Sequence, residues 1–128
     1  MDTIEFTDNK AARNDPDKFI SAEVDITRVL ASWKTSLFSY EWLDGEGEIK
    51  AFQDLDAPQA DKLRIAQGKV ADGEALEKPV LGIGMLDNVE IGAGHAAFVM
   101  AATNGHKTIP VHIPKSCESD FKDFLAAV

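Results

Sequence analysis

The chain predicts an α+β domain in which a small mixed β-sheet is packed against helices. Three observations support that expectation. The 128 residues, 45% of them apolar, suffice for one ordinary hydrophobic core. The stretch Lys78–Lys115 holds two strands, a glycine turn, a helix and a third strand in one continuous unit. A further strand runs straight into a helix near Phe19.

Residues 1 to 17 end in Asn14-Asp15-Pro16-Asp17 and are polar and turn-rich, which predicts a flexible, loosely attached N-terminal arm before a domain over 18–128. Ile4 and Phe6 have the period-two spacing of a short edge strand. Phe19–Asp25 is the first strand proper. Asp25 then caps a helix that Val29, Leu30, Trp33 and Leu37 continue at helical spacing. Ser36–Leu43 is the densest aromatic patch. Its spacing predicts core packing, and no Lys or Arg follows Lys34 there to make a base-stacking platform. Asp44-Gly45-Glu46-Gly47-Glu48 lacks the alternating ligands of a calcium loop, so a solvated turn is expected.

Asp56 and Pro58 start a helix to about Asp72, with Leu63, Ala66 and Val70 inward, Gly68 inside it at some cost, and Gly73 as its stop. Val80–Gly84 and Val89–Ile91 are strands joined by a turn at Asp87-Asn88. Gly92-Ala93-Gly94 leaves extended geometry, and a helix begins at His95 and closes at Gly105. From Ala96 to Thr103 it carries no charge, so it is covered on most sides. Thr108–Ile113 is a strand whose prolines predict an edge position or pairing on one side. Ser116 caps a last helix with Glu118 and Asp120 in its first turn and an apolar stripe of Phe121, Phe124, Leu125 and Val128.

Charge narrows the function classes. With 22 acidic and 13 basic residues, the net −9 disfavours broad nucleic-acid binding, which depends on Lys and Arg. Cys117 is alone, so no intrachain disulfide is expected and a reducing compartment fits. No run approaches 18 uninterrupted apolar residues, and Met1–Glu5 is acidic, so a cytoplasmic protein without membrane contact is expected.

A helix that starts at a glycine turn after a strand offers free N–H groups and a positive dipole end, an anion site made by Gly92, Ala93, Gly94, His95 and Ala96. His95 is the candidate phosphate donor or acid–base group, against the alternative of a helix-capping or core histidine. His112 is expected half-exposed, and His106 lies in a loop. Asp87 and Glu90 are the only acids near the glycine turn able to serve a metal-dependent hydrolase. Glu90 faces opposite Val89 and Ile91 and is expected to point to solvent rather than to the turn. Lys78, Lys107 and Lys115 are possible cationic partners. The histidines, Cys117 and the acids show no ligand spacing, and no metal is expected. Gly92-x-Gly94-x-x-Ala97 also matches a dinucleotide fingerprint, but no acidic residue ends the next strand, where Ile113 meets Pro114 and Lys115.

The run Gly92-x-Gly94-His95, the alanine-rich helix, Gly105-x-x-x-Ile109-Pro110-Val111 and a closing helix resemble the fold shared by the ParB-like nuclease domain and sulfiredoxin. Gly73 through Pro79-Val80 is similar to the ParB-like approach to the first glycine-flanked strand. The resemblance implies a phosphate or nucleotide ligand at the helix start, with a DNA-directed nuclease as one alternative. It departs where sulfiredoxins carry a reactive cysteine, here Gly94, and a phosphate-gripping arginine, here Ala96; ParB first-turn arginines fall on Ala96 and Ala97. Sulfiredoxin activity is therefore not expected. A third possibility is a catalytically inactive module that meets a protein partner or another copy of itself, or mimics DNA.

Overall fold

A computed structural model describes residues 4–126. The chain opens with strand β1 (Phe6–Thr7) and helix α1 (Lys10–Asn14), started by the Asn9 side chain accepting from Ala11 N at 2.9 Å. Strand β2 (Phe19–Asp25) follows, and Asp25 accepts from Arg28 N at 3.0 Å to begin helix α2 (Ile26–Trp33). Short 3₁₀ turns at Ser39–Glu41 and Phe52–Asp54 lead to helix α3 (Ala57–Ala71). Gly73, at φ +76°, ends it in the left-handed region that favours glycine. Then come β3 (Leu76–Glu77), β4 (Val80–Ile83), β5 (Val89–Ala93), helix α4 (His95–Thr103), β6 (Thr108–Pro114) and a 3₁₀ segment over Lys115–Phe124.

The α+β class and the mixed sheet are present. Four strands run in the order β2-β6-β4-β5, with β6 antiparallel to β2 and parallel to β4, and β4 antiparallel to β5; β1 and β3 form a separate parallel pair. Trp33, Leu81, Val89, Phe98, Ile109, Val111 and Phe121 make one continuous core with their neighbours. Each fully buried aliphatic or Phe side chain contributes about 1.5–3 kcal/mol. Helix α4, uncharged as noted, is buried from Ala97 to Ala101.

Several expectations are corrected. The prolines of β6 do not place it at an edge, because it lies between β2 and β4. Donors alternate along a strand, and His112 N reaches Pro79 O at 2.9 Å on the β4 side, so Pro110 and Pro114 lack donors on that side only. There the pairing is confined to Val80 and His112, whereas the register with β2 runs unbroken from Phe19 to Asp25. The closing segment is 3₁₀ and Ser116 does not cap it; Phe121 is buried, Leu125 is exposed, and Val128 lies outside the described residues. Helix α2 stops at Trp33, since i→i+3 bonds tighten the chain and the Thr35 hydroxyl donates to Ser32 O at 2.7 Å. Leu37 therefore leaves the helix and is exposed. The Ser36–Leu43 patch divides: Trp42 and Leu43 are buried, but Phe38 and Tyr40 face solvent.

The N-terminal arm is not loose over its described part. Ile4, Asn9 and Ala12 are buried, and β1 pairs with β3 as the period-two spacing suggested. The anchor is His112, which is buried rather than half-exposed and whose Nε2 accepts from Asn9 N at 3.0 Å. Asn9 Nδ2 donates to Lys78 O at 3.0 Å, and Lys78 Nζ pairs with Asp8 at 3.0 Å. Burial first, then Lys78, holds the His112 imidazole below its ordinary value, against an opposing pull from Asp8. Protonation converts the acceptor that Asn9 needs into a donor. Because the folded state disfavours the proton, His112 contributes stability that is present above the ordinary imidazole pKa of about 6.5 and is lost as pH falls below it. Thermal melts are expected to show a lower Tm at pH 5 than at pH 7.5. In His112→Gln, whose amide oxygen accepts without titrating, that slope is expected to become shallower; an unchanged slope would remove His112 as the cause.

Candidate functional site

The site forms where α4 begins. Gly94, at φ +81°, turns the chain from β5 into α4, and a Cβ there would lie 2.7 Å from Pro79 Cα. Both the backbone angle and the clearance therefore demand glycine. Gly92 and Ala93 do not leave extended geometry as the sequence suggests; they complete β5, and Gly94 alone makes the turn. The turn directs the first helical side chain, His95, inward. Its ring stacks on Trp42 at 5.9 Å and 6° and is tilted against Trp33 at 6.2 Å.

His95, Glu90 and Ile91 line a cleft of about 350 Å³ together with Trp33, Phe38 and Glu41 from the α2–α3 side, and Gly84 and Met85 from the β4–β5 hairpin. Glu90 is half-buried and held, not solvated. Ser36 Oγ donates to its Oε1 at 2.6 Å, and Asn88 Nδ2 donates to its Oε2 at 3.0 Å. Bonds to a charged group are worth about 1.5–3 kcal/mol each. Gly84 leaves room for this carboxylate, since a Cβ would meet Glu90 Cγ at 2.7 Å. Glu41 accepts from Gln59 Nε2 at 3.0 Å through Oε2. At the outer edge of the sheet, Ser32 Oγ accepts from Val89 N at 2.8 Å.

Burial first, then Lys62, lowers the His95 pKa, while Glu41, the Ile91 carbonyl and Glu90 oppose the shift. At neutral pH the imidazole is therefore uncharged, with one donor and one acceptor nitrogen. The side chains lining the cleft then carry two carboxylates and no cation.

Of the residues singled out in the sequence, Glu90 and His95 come together in this cleft. Gly92 is exposed on β5, and Ala93, Gly94 and Ala96 are half-buried without lining it. Among the described residues no side chain caps α4, and Phe98 N donates to Gly94 O at 3.1 Å at its start. Asp87 sits exposed in the hairpin turn at φ +59°, outside the cleft. Lys78 is bound to Asp8, and neither Lys107 nor Lys115 lines the cleft. Among the described residues no group of three or more His, Cys, Asp or Glu is placed to hold a metal ion. Glu41, Ser36 and Gly84 were not legible as site residues. Glu41 lies within the aromatic patch that reads as core, and the Ser36 hydroxyl joins Glu90 from 54 positions away.

No protein-family model, curated protein or solved structure matches this chain.

Gly94→Ala is expected to cost about 1–3 kcal/mol by urea denaturation, combining the left-handed backbone with the collision at Pro79. Glu41→Gln and Glu90→Gln are each expected to lower the His95 pKa further, and Lys62→Met to raise it, in an NMR titration of the imidazole. A His95 curve indifferent to all three would show that these charges do not face it.

Proposed function

We propose that this chain is a binding module, whose cleft between His95, Glu41 and Glu90 receives a positively charged nitrogen group. The observation that carries this is the pair of carboxylates on a wall whose histidine is held neutral. Glu90 is fixed by Ser36 and Asn88, yet each of its oxygens retains acceptor capacity. Glu41 Oε1 is left over after Oε2 meets Gln59. The exposed Phe38 ring adds an aromatic face of the kind cations favour. On the sequence resemblance alone, we further propose that the chain is a degenerate ParB/sulfiredoxin-like domain that keeps strand, glycine, histidine and helix and lacks the cysteine and arginines of that family.

A second reading keeps one observation in its favour. The start of α4 has no side-chain cap, and Lys62 lies near enough to depress the His95 pKa, so a phosphate or nucleotide could meet the amides of His95 and Ala96.

Titration with a blocked arginine (Nα-acetylarginine amide) and, separately, with inorganic phosphate and ATP distinguishes the two by amide and imidazole chemical shifts. Blocked arginine is expected to bind in the millimolar range, about 4 kcal/mol, moving His95, Glu90 and Gly84 resonances, and to lose that effect in Glu90→Gln. Shifts confined to Gly94–Ala97 on adding phosphate or ATP, with none from arginine, would replace the cation site with an anion site.

A further inference from the structure

The cleft continues beyond its own rim. Leu37, Phe38, Met85 and Leu86 enclose a second hollow of about 50 Å³, which shares Phe38, Met85 and Glu90 with the first. Met85 is 99% exposed, Leu37 73%, Phe38 67% and Leu86 61%. Single exposed apolar side chains are ordinary, but a contiguous cluster marks an interaction surface. Two of the four occupy a hairpin turn, where polar turn formers are the rule.

The polar side-chain groups beside this patch are acceptors. Asn88 is 4% exposed; its Nδ2 is used by Val89 O and Glu90 Oε2, while its Oδ1 has no hydrogen-bond partner among the described residues. Such an orphaned acceptor calls for an explanation. Asn88 lines the second hollow, Glu41 the first and Glu90 both, so the apolar surface carries carboxylates that a multi-donor cation can satisfy.

We infer that cleft and patch are one docking surface, and that its occupant is a segment of another protein in which an arginine is flanked by apolar residues. The guanidinium enters between Glu41 and Glu90, and the flanking side chains cover Leu37, Phe38, Met85 and Leu86. This rests on the cation-binding cleft proposed above. Arginine suits it better than lysine because a planar fork of donors, weakly hydrated, meets several acceptors at once. A second copy of this chain is a poor occupant, since each copy carries −9 and the acidic clefts would face each other. Strand addition along β5 is obstructed by Ser32, which already takes the Val89 N–H.

The test uses the intact chain and three blocked pentapeptides followed by calorimetry and NMR: arginine between leucines, arginine between alanines, and norleucine between leucines. The leucine-flanked arginine peptide is expected to bind about tenfold or more tighter than the alanine-flanked one. That gain is expected to vanish in Leu37→Ser and Leu86→Ser, two exposed positions that line the second hollow but not the cleft. The norleucine peptide is expected not to bind, and Glu90→Gln to weaken both arginine peptides. Equal affinity for leucine- and alanine-flanked peptides, with blocked arginine still binding, would overturn the docking surface and leave the cleft. Absence of binding by every arginine compound would overturn both. A concentration-dependent dimer abolished by Met85→Ser would assign the patch to a second copy and overturn the inference.

Discussion

The approach of Pro79 to Gly94 is the constraint on which the functional end of this molecule depends. Only a residue without a Cβ allows the chain leaving β5 to pass over the start of β4 and enter α4 at once. Because the turn is that tight, the first helical side chain has one direction available, and His95 lands between Trp33 and Trp42. The tryptophans are themselves buried, so the imidazole is held between close-packed walls. The cleft is thus shaped by backbone closeness first and by side-chain chemistry second.

On that frame the charges are arranged with a definite bias. A histidine at a helix start is usually thought of as a donor to something negative, yet this one is desolvated and faces two carboxylates. The hydroxyl of Ser36 and the amide of Asn88 both donate to Glu90, which fixes that carboxylate in place without a cationic partner among the residues lining the cleft. Desolvating a carboxylate beside apolar groups is unfavourable unless it is bonded. The cleft therefore holds unused acceptor capacity in an orderly form, next to apolar side chains that water covers poorly.

Much of the fold was legible because it follows from local rules. Asp25 as a cap, Gly73 and Gly105 as left-handed stops, and the change of period at His95 all appear where the residues require them. The pieces that were not legible depend on partners far along the chain. Nothing near Asn9 announces that its amide will meet His112, and nothing near Glu90 announces Ser36. The prolines of β6 mislead because strand rules treat a missing donor as an edge, whereas here it is hidden on the side where pairing is short. Likewise the aromatic patch combines residues that pack with residues that face out, and hydrophobicity alone does not separate them. His95 and Glu90 were visible as types; that they share one cavity required the turn at Gly94.

The order of the strands has a consequence for how the chain must be made. Among the described residues the only strand that pairs with β2 in the sheet is β6, and the arm around Asn9 is fastened to the same strand 103 positions later. A ribosome releasing this protein therefore exposes the first strand of the four-stranded sheet long before the surface it belongs to has emerged. Non-local closure of this kind slows folding and leaves an unpaired edge available to strangers. The abundance of acidic residues gives the nascent chain a means of keeping such strangers away through mutual repulsion while it waits for Thr108–Pro114.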